Sequence, residues 1–305
     1  LNRGAAGIEI VDATGPTLGA TLATIPAPVS GFENVKAMAL DGSLLAIANA
    51  GASGGATIGF DVSDPSNPVP LWGLPFQFDS YDVALGDDLM AVARSGVLTL
   101  LDITDPSNPV EVSNTPAPAE SISGTVTFHD GLLFWSWQGD ELSLGEVVIL
   151  DVSNPASPVE LGAVTANFFV SEPQFAGDIM LLSNDGGVRA IDISDVTSPT
   201  QVASLSLPGI DQEAALMGGL LYRVSTAGLT VLDVTNPAAP VVSDNLVGFA
   251  ADDGVTNIGG KLHVVGANGL SVIDAGDRDG DGVTDPCDAC EGDDATGDRS
   301  EERRV

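Results

Sequence analysis

The chain has 305 residues, of which 44% are hydrophobic and 5% aromatic, enough for a sizeable core built mostly from aliphatic side chains. With 43 acidic and 10 basic residues, it carries a formal net charge of −33 at pH 7. Such a surface repels nucleic acids and anionic lipids, and no apolar run reaches the ~18 residues of a membrane helix, so we expect neither nucleic-acid binding nor a membrane span.

The first full period of the chain contains four short apolar runs. We predict strands at 35–40, 44–48, 57–62 and 69–74, because each run is too short for a helix and is bounded by turn residues. Asp41 and Gly42 separate the first two runs, which is a hairpin signal. Similar pairs of turn residues precede later apolar runs, at Gly86-Asp87, Asp130-Gly131, Gly177-Asp178, Gly218-Gly219 and Gly259-Gly260.

The third strand of each period ends in a recurring aspartate. The seven copies, at intervals of 49, 41, 49, 41, 41 and 41 residues, are Asp12, Asp61, Asp102, Asp151, Asp192, Asp233 and Asp274. A period this regular indicates a repeat architecture. Ser or Thr follows two residues later in six copies, and prolines follow in most. Because Asp side chains accept hydrogen bonds from N–H groups two residues on, we interpret these aspartates as turn fasteners rather than catalytic groups.

Four of these motifs, at 8–12, 98–102, 147–151 and 229–233, resemble the LVIVD repeat, and residues 61–68 resemble its usual continuation. The resemblance covers residues 1–275. It implies a β-propeller, from a family found mostly on secreted or cell-surface proteins of microbes, and it brings no catalytic residues. The copy at Asp274 departs from the pattern, since it lacks both the hydroxyl residue and the prolines.

We therefore predict an all-β fold over residues 1–275, a β-propeller of four-stranded antiparallel blades. The motif strand occurs seven times, whereas the first strand of the period occurs six times. Aligning Gly7 with Gly228 places Leu1 inside a strand, so we expect a trimmed or partial sequence. Seven blades with an incomplete first blade are favoured, and six blades closed by pairing of the terminal strands are the alternative.

The strand order gives the propeller two faces. The first hairpin turn and the Asp turn of each blade lie on one, here called the turn face. The loops before the first and third strands lie on the other, the loop face. Two longer loops on the loop face, at 49–56 and 138–145, indicate a recognition surface, and Trp137 stands beside the second. The alternative is that propellers simply tolerate insertions there and that the tryptophans pack between blades.

A carboxylate stands in each loop that enters a first strand. These residues are Glu33, Asp82, Glu120, Glu172, Glu213 and Asp253. In a propeller the first strand lines the central channel, so they would form an acidic ring at one mouth. Such a ring attracts a cation or a basic partner. The alternative is chance placement in a chain with 43 acidic residues.

Residues 276–305 form a different segment, which resembles the calcium-binding type 3 repeat of thrombospondins. Counted from Asp277 as the first ligand, the loop rule predicts a Ca²⁺ site formed by Asp277, Asp279, Asp281, the carbonyl of Val283, Asp285 and Asp288. We expect an affinity of roughly 10⁻⁴–10⁻³ M, and a disordered acidic linker is the alternative. Cys287 and Cys290 fit a disulfide or pairing with a neighbouring repeat better than zinc, because two further ligands are missing.

No catalytic constellation is visible in the sequence. The two histidines, His129 and His263, lie in different periods without a nearby Ser or Cys nucleophile. We predict a monomeric, non-catalytic binding module, extracellular or on the cell surface, that presents loops to a protein or glycan and is joined to a Ca²⁺-stabilised spacer. The runner-up is a hydrolase or lyase with a metal-dependent site at the channel mouth. A purely structural surface module is a third reading.

Overall fold

The computed structural model describes residues 8–12, 20–26, 34–51, 54–77, 79–117, 124–137, 145–166, 171–184, 186–246, 254–258, 261–266 and 269–273. Within these ranges every regular element is a β-strand, which agrees with the predicted all-β class. Over the same ranges, no helix is long and apolar enough to cross a membrane.

The strands form antiparallel sheets, which are numbered here in chain order. Sheet 1 contains β1 (Ile8–Val11) and β2 (Thr21–Ile25). Sheet 2 contains β3 (Asn34–Asp41), β4 (Leu44–Ala50), β5 (Ala56–Asp61) and β6 (Val69–Pro75). Sheet 3 contains β7 (Ser80–Gly86), β8 (Leu89–Arg94), β9 (Val97–Asp102) and β10 (Val110–Pro116).

The remaining sheets repeat this arrangement. Sheet 4 contains β11 (Val126–His129), β12 (Leu132–Trp137), β13 (Gly145–Asp151) and β14 (Val159–Ala166). Sheet 5 contains β15 (Gln174–Ala176), β16 (Ile179–Asn184), β17 (Gly187–Asp192) and β18 (Thr200–Ser206). Sheet 6 contains β19 (Asp211–Met217), β20 (Leu220–Ser225), β21 (Gly228–Asp233) and β22 (Val241–Leu246). Sheet 7 contains β23 (Gly254–Ile258), β24 (Lys261–Gly266) and β25 (Gly269–Ile273).

In sheets 2 to 6 the four strands follow one another in sequence order, so each sheet is a simple meander. The four strands predicted for the first period are confirmed as β3 to β6, with ends that differ by one or two residues. Sheet 1 supplies two strands and sheet 7 three among the described residues. The number of blades, seven or six, therefore stays a prediction.

The hairpin between the first and second strands closes through residues with positive φ. In sheet 3 both central residues are aspartates, with φ of 45° at Asp87 and 62° at Asp88. In sheet 4 the pair is Asp130, at 48°, and Gly131, at 75°. Two successive positive φ values match the type I′ turn, whose twist fits the twist of the flanking strands. Asp tolerates this conformation better than most residues, so the turn forms even without glycine at its first position.

Each ladder between a third and a fourth strand, in sheets 1 to 6, contains a register shift just before the recurring aspartate. In sheet 2 the shift lies between Gly59 and Phe60. A bulge of this kind bends the strand and increases its twist. Its repetition gives these six sheets the same twisted edge next to the Asp turn.

The hydrophobic core lies between neighbouring sheets rather than within any one of them. The second and third strands are buried on both sides over several consecutive residues, which explains their continuous apolar sequences. Leu98 and Leu100 of sheet 3, for example, pack in one cluster with Leu133 and Val148 of sheet 4. Since fully burying such a side chain stabilises by roughly 1.5–3 kcal/mol, each sheet depends on the next.

Candidate functional site: carboxylates at the loop face

The first strands of neighbouring sheets lie side by side, and this arrangement sets the two faces. Strand β3 contacts β7, β7 contacts β11, and β19 contacts both β15 and β23. On the turn face, a cleft of about 520 Å³ separates sheets 3 and 4. It is lined by both kinds of turn from each sheet, including Asp87, Asp102, Asp130 and Ser153. The predicted grouping of these turns on one face is confirmed for sheets 3 and 4.

On the turn face the recurring aspartates act as predicted. The carboxylate oxygen Oδ1 accepts the backbone N–H two residues on, at 2.8–2.9 Å, in the pairs Asp61–Ser63, Asp102–Thr104, Asp151–Ser153, Asp192–Ser194 and Asp233–Thr235. At Asp102 the Thr104 N–H, followed by the Thr104 hydroxyl, lowers the carboxyl pKa below its usual value. The fastener interpretation is confirmed at these five copies. Asp274 lies outside the described residues.

A second fastener follows the first, and the sequence analysis missed it. Asp64, Asp105 and Asp195 each accept the N–H and the hydroxyl of the Ser or Thr two residues later, at 2.6–3.0 Å. The signal was present in the sequence, because the same Asp-x-Ser/Thr spacing occurs twice within one turn. The turn of these repeats is therefore fastened at two successive points.

On the loop face, Asp82 lies near the start of β7 and is partly buried. Its Oδ1 accepts the N–H of Val83, and its Oδ2 accepts the N–H of Val126 in sheet 4, both at 2.8 Å. Val126 begins β11, the edge strand of sheet 4, and its N–H is directed to Asp82 in sheet 3. The carboxylate thus bridges two sheets.

Two further predicted carboxylates make comparable bridges. Glu213 in β19 accepts the N–H of Val255 in sheet 7 through Oε2, at 3.1 Å. Glu172, which precedes β15, accepts the hydroxyl of Thr127 in sheet 4 through Oε1, at 3.2 Å. Each side chain therefore joins its own sheet to an adjacent one at the loop face.

Two of these carboxylates also act on the third. Burial, followed by the negative charge of Glu172, raises the pKa of Asp82 to about 8, and Glu213 adds to the effect. The backbone N–H bonds from Val126 and Val83 oppose the shift. The charges of Glu172 and Glu213 thus act on Asp82 although the three residues come from sheets 5, 6 and 3. The acidic ring itself stays a prediction, since three of its six members, Glu33, Glu120 and Asp253, lie outside the described residues.

Other predicted site residues fall elsewhere. Glu33, Glu120 and Asp253 lie outside the described residues, as do the proposed calcium ligands Asp277, Asp279, Asp281, Val283, Asp285 and Asp288. Trp137 ends β12 and packs, partly buried, against the cluster between sheets 3 and 4, next to buried Trp135. Across the part of the chain that the structure describes, no three His, Cys, Asp or Glu side chains are grouped so that they could hold a metal ion.

A buried polar layer near the loop-face ends of the second strands was not anticipated. Arg223 in β20 is fully buried and donates to the carbonyl oxygens of Asn184, Pro208 and Gly209, at 3.0–3.2 Å. Its Nε donates to Ser183 Oγ, at 3.2 Å. A charged residue within an apolar strand was a visible signal, and the bonds show that Arg223 ties sheet 5 to sheet 6.

Comparison with known proteins places this geometry in context. The family model described as the LVIVD repeat matches residues 79–116, 143–166 and 208–246. The chain carries LVIVD repeats. No curated protein matches the sequence.

Solved structures similar to this chain have propeller-like folds. A protein from Lactobacillus plantarum is 15% identical with a TM-score of 0.63, over 80% of this chain and 81% of that one. The periplasmic gluconolactonase PpgL of Pseudomonas aeruginosa is 14% identical with a TM-score of 0.62, over 83% and 84%. Sqt1 of Saccharomyces cerevisiae is 11% identical with a TM-score of 0.59, over 81% and 84%. At these identities the likeness shows the fold alone, and the predicted β-propeller is confirmed.

Proposed function

We propose that this LVIVD-repeat propeller is a non-catalytic interaction module, extracellular or on the cell surface, that binds a basic segment of a partner protein at the loop face. The observation that carries the proposal is that Asp82, Glu172 and Glu213 each bridge neighbouring sheets at the loop face, with the charges of Glu172 and Glu213 acting on Asp82. Like charges held together at a partly buried site favour a cationic ligand, because its charge relieves their repulsion. The twisted sheets behind them provide a rigid support.

Protein rather than glycan is the favoured ligand class because the site consists of carboxylates from several sheets. Lysine and arginine side chains can reach such acceptors individually, and each charge-assisted hydrogen bond is stronger than a neutral one. The hydrolase or lyase alternative would need a metal site or a nucleophile at the same mouth. Among the described residues, no three His, Cys, Asp or Glu side chains are grouped so that they could hold such a metal ion.

The test uses an oligolysine peptide as the probe and measures its binding to the full chain by calorimetry, at low and at physiological salt. We expect binding that weakens severalfold in the double variant Glu172→Gln, Glu213→Gln, since each charge lost removes a favourable contact. The matched control is Asp87→Asn, Asp88→Asn, which removes two exposed charges from the turn face. Equal weakening by both double variants would show attraction to the overall charge rather than to the loop-face site.

The Ca²⁺-stabilised spacer at residues 276–305 remains part of the proposal. Its support is the alternating carboxylate spacing from Asp277 to Asp288, with Gly282 at the turn position. The cation would act there as a structural ligand that orders an acidic segment. It would not contact the carboxylates of the loop face in this proposal.

A further inference from the structure

The two oxygens of Asp82 are both engaged by backbone N–H donors. One donor, Val83, belongs to the same strand, and the other, Val126, begins the first strand of sheet 4. Two N–H donors match an ionised carboxylate, which offers only acceptors. A protonated carboxyl group would present an O–H in place of one acceptor, and one of the two N–H bonds would be lost.

The surroundings of Asp82 favour the protonated form instead. Its burial and the charges of Glu172 and Glu213 all disfavour the carboxylate, whose pKa lies near 8 as a result. Strands β3, β4, β5, β8 and β11 pack against β7, and their titratable or charged residues are Lys36, Asp41, Asp61, Arg94 and His129. Lys36 is exposed, and the Arg94 guanidinium lies 4.1 Å from the centre of the Phe76 ring. The hydrogen bonds therefore favour the ionised form of Asp82, whereas burial and the neighbouring charges favour the protonated form.

We propose that Asp82 is a proton-sensitive tie between sheets 3 and 4, in which the ionised carboxylate holds the N–H of Val126 and protonation releases one of its two N–H bonds. Near neutral pH the two forms are both populated, because the pKa of Asp82 is about 8. The Val126 bond to the ionised carboxylate then forms as the pH rises through that range, while the net stability of the fold falls, because burial and the charges of Glu172 and Glu213 oppose ionisation. A cation at the loop face would favour the ionised, bridged form.

Nuclear magnetic resonance of the full chain labelled with ¹⁵N-valine tests the inference. The amide protons of Val83 and Val126 should titrate together, since both donate to the same carboxylate. Their shared midpoint should lie well above 3.8, the ordinary value for Asp. Glu172→Gln should move the midpoint down, because of the two neighbouring carboxylates Glu172 has the larger effect on the pKa of Asp82, and Asp82→Asn should abolish the shared titration.

The matched control is Asp61→Asn, which removes one charge from the turn face. It should leave the midpoint of Val126 unchanged. A Val126 amide that stays flat, or that titrates near 3.8, overturns the proposal. So does a midpoint that Glu172→Gln and Asp61→Asn shift equally. The wild-type and Glu172→Gln titrations decide the question even if Asp82→Asn does not fold, and neither depends on finding a ligand.

Discussion

Aspartates on the two faces of the propeller have the same side chain and opposite behaviour. On the turn face, Asp102 accepts hydrogen bonds from Thr104 within its own turn, and these bonds lower its pKa. On the loop face, Asp82 bonds to the next sheet, and burial with neighbouring negative charges raises its pKa to about 8. A local hydrogen bond acts on each repeat separately, whereas the raised pKa exists only when several sheets are assembled.

The two faces also join neighbouring sheets by different means. Near the turn face, the Trp72 indole N–H in sheet 2 donates to the carbonyl oxygen of Pro106 in sheet 3, at 2.8 Å. In sheet 4 the corresponding fourth strand has Gly162, where an added Cβ would lie 2.2 Å from the carbonyl oxygen of Val196 in sheet 5. On the loop face, carboxylates form the bridges instead. The turn-face junction depends on close backbone approach, and the loop-face junction on charge.

The largest expected effect comes from removing one whole period. Deleting residues 103–151 takes out the equivalent of one sheet and leaves its neighbours without a packing partner. We expect loss of the cooperative thermal transition, or a smaller ring with a lower melting temperature, measured by calorimetry. A deletion variant that melts like the parent protein would show that the sheets do not form one closed unit.

A smaller loss should follow from Gly162→Ala, which tests the close backbone approach at the turn-face junction. The new methyl group would clash with the Val196 carbonyl oxygen, and overpacking of this kind costs about 1–3 kcal/mol. The matched control is Gly73→Ala, also in a fourth strand, where the added Cβ meets nothing within 4 Å. Chemical denaturation gives both values. Similar losses in the two variants would mean that glycine matters there for strand conformation rather than for the junction.

The pH dependence of stability should have opposite signs on the two faces. Because the folded-state pKa of Asp82 is raised, its contribution is fully present below about 4 and is lost as pH rises through about 8. The melting temperature of Asp82→Asn should therefore rise by a few degrees relative to that of the wild type as the pH increases over that range. The lowered pKa of Asp102 predicts the reverse. The loss of stability in Asp102→Asn is fully present above pH 3.8 and becomes smaller as the pH falls through the folded-state pKa. Parallel pH profiles for the two variants would remove the distinction between the faces.

The smallest effect on the propeller itself should come from calcium at residues 276–305. Titration of the full chain should show one saturable heat at roughly 10⁻⁴–10⁻³ M, which Asp279→Ala and Asp281→Ala abolish. Neither substitution should change the main melting transition, since both residues follow the last copy of the repeat motif in the sequence. Identical weak heats in all three proteins would favour the alternative of an acidic linker.

Much of the fold could be read from the sequence, because the determining interactions are local and repeated. The aspartate that ends each third strand, the Ser or Thr two residues later and the glycine-containing hairpins predicted the strands and turns that β3 to β6 display. The fastening at Asp61 and Asp102 followed from side-chain reach over two residues. Repetition turned weak local signals into a reliable prediction of a β-propeller.

Other features depend on distances that sequence spacing does not encode. The sequence located Asp82, Glu172 and Glu213 but could not show that the last two influence Asp82, because the three are separated by whole periods of the chain. It also gave no sign that the oxygens of Asp82 would meet the N–H of Val126. It showed Arg223 as a charged residue in an apolar strand, but not which carbonyl oxygens would hold it. Only the packing of one sheet against the next removes water from these groups and fixes their separations. Burial and separation together determine which of the groups are ionised in the folded protein.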